Sequence, residues 1–289
     1  MEGSFRFKMD FKDFGKTGEK VSRIGIGTYY DVKWMFLARL GRRPGSEMKI
    51  RAIRTAVESG VTLIDTAEVY GSEDLIAKAV DGVPRENLFM ATKVWITHLS
   101  YDATIKACRR SLERLNTKYI DLYQIHFPSP IGDIGGTLKA MEKLVDDGLI
   151  RYIGVSNFNL DQLKRAMELM NRYEIVSNQV HYSLRHRGPE KDMIRFADQN
   201  GLAILAWYPL EHGDLVKDEA YPEVFLRELR TRYPDVKASQ IALSYLMDAN
   251  RYVFPIPRAS NPDHVRENIA SVNYRLSEDD IRILREYFS

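Results

Sequence analysis

Short apolar runs rich in β-branched residues recur eight times along the chain, and amphipathic segments with helical spacing, such as 48–59 and 101–115, alternate with them. The eight runs are residues 24–28, 61–65, 88–93, 120–125, 152–155, 175–180, 202–206 and 252–256. Runs that are apolar almost throughout are typical of parallel strands buried on both faces. Eight of them alternating with helices in 289 residues predict an α/β protein with a closed (β/α)8 TIM barrel.

An open, doubly wound parallel sheet is the alternative for this order of elements. That fold usually carries a glycine fingerprint after its first strand, with a third glycine opening a helix. In this chain Gly25 and Gly27 are followed by Thr28, Tyr29 and Tyr30, and no third glycine follows. The pattern therefore favours the barrel.

The segment before the first predicted strand, residues 3–21, contains the turn-forming glycines Gly15 and Gly18. We expect it to form a hairpin that closes the bottom of the barrel, where the strands begin. No low-complexity linker interrupts the chain, so residues 1–289 are predicted to form a single domain.

Composition excludes several classes of function. The net charge is +2, and the basic residues are spread along the chain, which argues against a nucleic-acid or membrane surface. A single cysteine, Cys108, rules out internal disulfides and predicts a reducing compartment, and the six histidines show no metal-binding spacing. There is no secretion signal and no run of roughly 20 apolar residues, so we expect a cytoplasmic protein without a metal site.

Four polar residues follow three consecutive predicted strands. Asp65, Lys93 and His126 stand at the ends of the second, third and fourth strands, and Tyr70 lies five residues beyond Asp65. The carboxyl ends of barrel strands form one rim, and consecutive strands are neighbours. Each residue alone would more often be structural, but four in this order predict a catalytic site.

The chemistry of these four groups fits carbonyl reduction. A free tyrosine has a pKa of about 10, and we expect a nearby Lys93 ammonium to lower the pKa of Tyr70 so that it gives up its proton. Asp65 would hold Lys93, and His126 would donate to the carbonyl oxygen that Tyr70 protonates. Such a site supplies no electrons, so it needs a hydride donor, for which a nicotinamide coenzyme is the usual choice.

The chain resembles the aldo-keto reductases along nearly its full length. The matching segments are residues 25–28, 63–73, 92–93, 121–126, 154–158, 178–179, 209–210 and 255–258. The resemblance implies that Asp65, Tyr70, Lys93 and His126 form the catalytic tetrad. It also implies that Ser156, Asn157 and Gln179 hold the nicotinamide carboxamide, that Trp207 stacks on the nicotinamide ring, and that Gly27, Thr28 and Leu210 contact the coenzyme. Tyr208 stands where the family usually has a small serine.

The strongest candidate for binding the coenzyme phosphates follows the eighth strand. Arg258 precedes a predicted helix that Asn261 would cap, and a helix N-terminus beside a guanidinium suits an anion. By resemblance the remaining coenzyme contacts are Ser260 and His264, together with Glu267 and Asn268 at the adenine. Members that select NADPH commonly have Ser and Arg where this chain has Ala259 and His264, and these two departures remove ligands of the 2′-phosphate. Because Arg258 is kept, we expect NADPH as the coenzyme, with NADH possible as well.

The substrate site is predicted to be aromatic and open. Tyr29, Trp95 and Phe127 would line it, which suits hydrophobic aldehydes and ketones. The long connection 31–45 is predicted to be a lid over the substrate, with a short packed helix or a subunit contact as alternatives. Only four residues follow the C-terminal helical pattern, which predicts an open site with broad specificity.

Two other functions stay open at this stage. Lys93 on a barrel strand is compatible with a Schiff-base aldolase, and a coenzyme-sensing subunit of the same fold would keep the four residues. The aldolase leaves the predicted amide contacts and the phosphate site unexplained. We therefore expect an enzyme that binds a small carbonyl substrate, and the sequence does not decide between a monomer and a homo-oligomer.

Overall fold

The computed structural model describes residues 9–258 and 260–289. The chain begins with an antiparallel hairpin of β1 (Phe11–Asp13) and β2 (Lys20–Ser22). Eight parallel strands follow in one sheet, and each strand lies beside the next one in sequence. They are β3 (Ile26–Gly27), β4 (Leu63–Asp65), β5 (Phe89–Val94), β6 (Ile120–Ile125), β7 (Ile150–Ser156), β8 (Ile175–His181), β9 (Ala203–Trp207) and β10 (Val253–Pro255). All eight predicted strands are present.

The first and last strands meet and close the barrel. The Gly25 N–H donates to the Pro255 carbonyl at 2.9 Å, and the Gly27 N–H donates to the Pro257 carbonyl at 3.1 Å. A Cβ atom on Gly27 would lie 2.8 Å from the Ile256 carbonyl oxygen, closer than real side chains approach. The glycines of the Gly-x-Gly sequence thus allow two backbones to approach at the seam of the barrel. The predicted (β/α)8 fold is confirmed.

Helices surround the barrel. They are α1 (Val32–Arg39), α2 (Ser46–Glu58), α3 (Glu73–Ala79), α4 (Tyr101–Leu115), α5 (Ile134–Asp146), α6 (Leu160–Glu168), α7 (Met193–Asn200), α8 (Glu223–Arg232), α9 (Ala238–Asp248), α10 (Pro262–Ile269) and α11 (Glu278–Tyr287). The cap predicted for α10 is present, because the Asn261 side chain accepts from the Asp263 N–H at 2.8 Å and Pro262 opens the helix. None of the described helices is long and apolar enough to span a membrane.

The hairpin covers the bottom of the barrel, as predicted. Phe14, directly after β1, is fully buried, and its ring centroid lies 4.7 Å from that of Phe89 and 5.3 Å from that of Phe254. Burying one phenylalanine side chain stabilises a fold by about 1.5–3 kcal/mol. The hairpin therefore leaves the opposite end of the barrel, where the strands end, uncovered.

The connection 31–45 contains the short packed helix that was an alternative to the predicted lid. Asp31 caps α1 by accepting from the Trp34 N–H at 2.6 Å. The Trp34 ring is buried beside Tyr30, and its indole N–H donates to the Pro44 carbonyl at 3.2 Å. Burial of Trp34 and its hydrogen bond fix this segment as a packed element, and a covering role over the substrate stays a prediction.

Candidate active site

A buried ion pair lies at the carboxyl end of the barrel. The Lys93 Nζ donates to Asp65 Oδ2 at 2.7 Å and to the Thr66 carbonyl at 2.7 Å. Lys93 is 0% and Asp65 3% exposed, because both side chains point inward from adjacent strands β5 and β4. Burial lowers the pKa of Lys93, and the charge of Asp65 opposes this shift. The pairing predicted between these two residues is present.

Tyr70 and His126 meet above the ion pair. The Tyr70 hydroxyl lies 3.3 Å from His126 Nε2. Burial, with a contribution from the Lys93 charge, lowers the pKa of His126 to about 2, so the imidazole is neutral near pH 7. The other ring nitrogen, Nδ1, is buried and has no hydrogen-bond partner among the described residues. The four residues predicted to form the site therefore converge.

The pKa shift that we expected for Tyr70 has the opposite sign. Burial raises the pKa of Tyr70 well above its usual value, and the negative charge of Asp65 adds to the increase. The Lys93 ammonium does lie near, 5.1 Å from the centre of the Tyr70 ring. However, its charge is largely balanced by Asp65, so it does not overcome the desolvation of the phenolate. Tyr70 is a neutral phenol in this structure.

Sequence reasoning missed a second set of contacts to Asp65. Its Oδ1 accepts from Gln179 Nε2 at 2.7 Å and from Gln124 Nε2 at 3.5 Å. Gln124 is fully buried, and its Oε1 has no hydrogen-bond partner in the part of the chain that the structure describes. The signal available in the sequence was an uncharged amide side chain near the end of β6, a strand whose only charged residue is Asp121. These amides hold the Asp65 carboxylate in position.

The side chains predicted to bind the nicotinamide carboxamide lie beside the four residues. Asn157 Nδ2 donates to the His126 carbonyl at 3.0 Å, and its Oδ1 accepts from the Trp207 indole N–H at 3.1 Å. Ser156 Oγ donates to the Gln179 carbonyl at 3.1 Å. Asn157 has a left-handed φ of 63°, which turns the chain sharply after β7. Hydrogen bonds thus connect the ends of β7, β8 and β9 to the loop that carries His126.

Gly27, Thr28 and Leu210 are engaged within the protein. Thr28 is fully buried, its Oγ1 donates to the Asp65 carbonyl at 3.0 Å, and it accepts from Ser72 at 3.0 Å. Gly27 forms the seam with the last strand. Leu210 is half-buried and packs against the core. Their predicted contacts with the coenzyme stay predictions.

The predicted phosphate region is exposed and basic at one end. Arg258 is exposed and donates to the Tyr30 carbonyl, which connects this region to the start of the α1 segment. Ser260 is half-buried and His264 is exposed on α10. Ala259 lies outside the described residues.

The two predicted adenine contacts lie at the far end of α10. The Glu267 carboxylate accepts from Lys237 at 2.7 Å and from Ser239 at 2.6 Å. These contacts lower the pKa of Glu267 against the effect of its burial. Asn268 is buried, with 6% of its surface exposed. The two protein donors therefore fix the Glu267 carboxylate in place.

Aromatic rings surround the Tyr70–His126 pair. Tyr29 meets Tyr70 edge-on at 5.2 Å between centroids, and Phe127 stacks on His126 at 4.9 Å. Trp95 lies edge-on to His126 at 5.1 Å. The three residues predicted to line the substrate site therefore border Tyr70 and His126.

Glu68 is a further residue at this site that sequence reasoning missed. Its carboxylate accepts from the Trp95 N–H and lies 3.0 Å from His98 Nδ1. It thereby joins the loop that carries Tyr70 to the loop that carries Trp95. The signal available was an acidic residue between Asp65 and Tyr70, inside a segment that otherwise reads as a turn.

A cleft of about 470 Å³ lies at the other end of the barrel, beneath the hairpin. Its lining includes Phe11, Lys20, Phe89 and Arg151 and none of the predicted site residues. We place the candidate site at the carboxyl end of the strands, because the convergent polar groups lie there. The volume of a cleft does not by itself indicate a catalytic function. Within the described residues, no cluster of three His, Cys, Asp or Glu side chains suits a metal ion.

Comparisons with known proteins relate the chain to one family. Residues 23–288 match the model of the Aldo/keto reductase family. The methylglyoxal reductase YeaE of Escherichia coli K12 is 32% identical over 265 residues, which cover 90% of this chain and 89% of that protein.

Two solved structures share the fold. A thermostable aldo-keto reductase, Tm1743, in complex with the inhibitor epalrestat, has a TM-score of 0.85 and 36% identity, covering 96% of this chain and 100% of that one. An aldo/keto reductase from Klebsiella pneumoniae in complex with NADP and acetate has a TM-score of 0.83 and 29% identity, covering 97% of this chain and 95% of that one.

Proposed function

The chain belongs to the aldo/keto reductase family of NAD(P)H-dependent oxidoreductases, and from this premise we propose that it reduces small aldehydes and ketones to alcohols, with Tyr70 as the general acid. The observation that carries the proposal is the 3.3 Å contact between the Tyr70 hydroxyl and His126 Nε2, directly above the buried Lys93–Asp65 pair. A carbonyl oxygen bound next to both groups would lie within hydrogen-bonding reach of a proton donor, Tyr70, and of a second polar group, His126.

The protonation states support this division of roles. A neutral Tyr70 holds the proton that a developing alkoxide requires, because its raised pKa keeps the phenol protonated through the physiological range. Neutral His126 donates from Nε2 to the carbonyl oxygen, and its depressed pKa prevents it from competing as an acid. His126 therefore orients the substrate while Tyr70 transfers the proton.

Lys93 acts after the proton begins to leave Tyr70. Its ammonium lies close enough to the ring to stabilise the phenolate as negative charge develops there. Asp65 and the Thr66 carbonyl fix the position of that ammonium. The ion pair thus favours the transition state without ionising Tyr70 in the resting enzyme.

The residues at the ends of β7, β8 and β9 fit a nicotinamide coenzyme. Ser156, Asn157 and Gln179 bring hydroxyl and amide groups together beside the catalytic residues, and these suit a carboxamide. Trp207 adds a large flat surface at the same place. When bound, the coenzyme supplies the hydride. The chain's own residues hold it, orient the carbonyl and deliver the proton.

We propose NADPH as the main coenzyme, with NADH also used. The K. pneumoniae enzyme of the same fold binds NADP. Arg258 beside the N-terminus of α10 suits a phosphate, and exposed His264 is a weaker partner for it than an arginine. With His264 in place of an arginine, the preference for a coenzyme with a 2′-phosphate is reduced but not abolished.

Small dicarbonyls and aromatic aldehydes are the proposed substrates. The E. coli relative is named a methylglyoxal reductase. Tyr29, Trp95 and Phe127 border the reacting groups and would pack against a planar or apolar substituent. Lid function of the 31–45 segment, broad specificity and a cytoplasmic location stay predictions.

The experiment is coenzyme oxidation measured with methylglyoxal and benzaldehyde, each with NADPH and with NADH. We expect turnover of at least one carbonyl, with a higher kcat/KM for NADPH than for NADH. Absence of turnover from folded protein that binds coenzyme would favour the coenzyme-sensing subunit. The aldolase is disfavoured, because Lys93 is withdrawn from solvent and paired with Asp65, whereas a Schiff base requires a free amine.

A further inference from the structure

The loop after β9 contains three left-handed residues that are not glycine. Tyr208 has a φ of 51°, Glu211 of 46° and His212 of 54°. Such backbone conformations are unfavourable for residues with a Cβ and persist only where surrounding contacts determine them. The contacts that hold this loop therefore indicate what its conformation serves.

Glu211 is held by two side chains from the end of β8 and the residues after it. His181 Nε2 lies 2.7 Å from Glu211 Oε1, and Ser183 Oγ donates to the same oxygen at 2.5 Å. An ionised carboxylate only accepts, so the His181 Nε2–H is the donor. The His181 and Glu211 side chains are 25% and 17% exposed, so water competes only partly for these hydrogen bonds.

The same imidazole supports Trp207. The His181 and Trp207 rings are nearly parallel, with an interplanar angle of 17° and centroids 4.5 Å apart. On the register of β8 and β9 the two residues are direct partners. His181 also stacks on His186 at 4.0 Å. Among the described residues, His181 is the ring that lies parallel to the Trp207 indole.

We propose that His181 and Glu211 are positioning residues for the coenzyme. His181 fixes the plane of the Trp207 indole, and Glu211, anchored on His181, holds the 208–213 loop in its left-handed conformation beside that ring. The proposal rests on the proposed function, since it requires the nicotinamide coenzyme to bind at Trp207. Neither residue touches the reacting carbonyl, so the pair acts on coenzyme affinity and not on proton transfer.

If Glu211 served only to shape the backbone, a glycine would suit this position better. Glycine adopts a φ of 46° freely, so a glutamate at this position adds backbone cost. Its carboxylate offsets that cost only through the bonds to His181 and Ser183. Replacing Glu211 by glycine or by glutamine therefore separates two effects, the removal of backbone strain and the loss of the carboxylate.

The test measures the Kd of NADP⁺, from quenching of tryptophan fluorescence and from calorimetry, in four variants. Glu211→Gly relieves the backbone but removes the acceptor, and Glu211→Gln keeps an acceptor. His181→Phe keeps a flat ring but removes the donor, and the double variant His181→Phe/Glu211→Gly removes both. Glu219→Gln, on the exposed surface nearby, is the matched control.

We expect Glu211→Gly and His181→Phe each to raise the Kd about tenfold, as for loss of one hydrogen bond to a charged group. The double variant should lose no more affinity for NADP⁺ than either single variant, because the two residues form one contact. Glu211→Gln should recover most of the affinity, and Glu219→Gln should match wild type. In the variants with weakened binding, KM for the coenzyme should rise while kcat at saturating coenzyme stays within about twofold of wild type.

An unchanged Kd in Glu211→Gly or His181→Phe would overturn the proposal while leaving the proposed function intact. A fall in kcat at saturating coenzyme without a change in KM would also overturn it. If wild-type protein binds neither NADP⁺ nor NAD⁺, the proposed function fails first, and the positioning role fails with it.

Discussion

The Lys93 ammonium lies 2.7 Å from the Asp65 carboxylate in the barrel interior, where at most 4% of either side chain is exposed. Transfer of two charges from water is costly, and their mutual attraction offsets the cost only while both are present. Here Gln179 and the Thr66 carbonyl complete the hydrogen bonds of the pair. The pair is therefore a unit whose members depend on each other.

Removal of one member should destabilise the protein strongly. Lys93→Met leaves a buried carboxylate unpaired, and we expect a loss of about 3–5 kcal/mol in the free energy of unfolding. The double variant Lys93→Met/Asp65→Asn should lose less than the sum of the two single losses. Urea unfolding of the four proteins measures this coupling. Strictly additive losses would show that the two side chains do not act as a pair.

The depressed pKa of His126 should make stability depend on pH. An unfolded histidine titrates near pH 6.5, whereas His126 in the folded protein titrates at about 2. Between these values the unfolded state binds the extra proton, so stability should rise with pH and fall on acidification, by up to about 1.4 kcal/mol per pH unit.

The measurement is urea unfolding at pH 6.5, 5.5 and 4.5 in wild type and His126→Gln. The variant removes this titration and leaves the other groups unchanged, so its stability should decline less steeply with acidification. Equal pH dependence in the two proteins would mean that His126 binds a proton in the folded state.

Coenzyme selection should respond to His264. An arginine at this exposed position of α10, six residues after Arg258, would add a permanent charge and a bidentate donor. We expect His264→Arg to improve kcat/KM for NADPH about tenfold, as for one charge-assisted hydrogen bond, with little change for NADH. Parallel kinetics with both coenzymes provide the check, since an equal gain with NADH would place His264 away from the 2′-phosphate.

The barrel seam should not tolerate a side chain at Gly27. A Cβ there would lie 2.8 Å from the Ile256 carbonyl oxygen, which is backbone and cannot rotate away. We expect Gly27→Ala to lower the free energy of unfolding by about 1–3 kcal/mol, within the range for overpacking a closely packed site. Gly18→Ala, at an open turn with nothing within 4 Å, reports the cost of positive φ without a clash and serves as the control. A smaller loss at Gly27 than at Gly18 would mean that the seam relaxes.

The strand order and the convergence of the four proposed catalytic residues were predictable from the sequence, because hydrophobic periodicity fixes both. Lys93 and His126 follow strands whose apolar runs are unmistakable, and the barrel then brings their ends to one rim. The first strand was predicted too long, since much of the seam consists of single backbone bonds from Gly25 and Gly27. Backbone hydrogen bonds of this kind cannot be detected from the pattern of side chains in the sequence.

The electrostatic details could not be predicted in the same way. The sign of the Tyr70 pKa shift depends on how far Asp65 balances Lys93 and on the burial of the phenol, and these are properties of three-dimensional packing. The contact between His181 and Glu211 joins residues 30 positions apart through a loop of left-handed residues. Local sequence gives no signal for either feature, because glutamate is not a residue typical of positive φ.

Substitution of the general acid tests the central claim most directly. Tyr70→Phe removes only the hydroxyl and keeps the ring that packs against Tyr29. Single-turnover reduction of methylglyoxal by the NADPH-bound enzyme should fall by about 10²–10⁴, the range for loss of a general acid, while the Kd of NADP⁺ changes by less than about twofold. A reduction rate within about threefold of wild type, with NADPH bound, would contradict the assignment of Tyr70 as the proton donor.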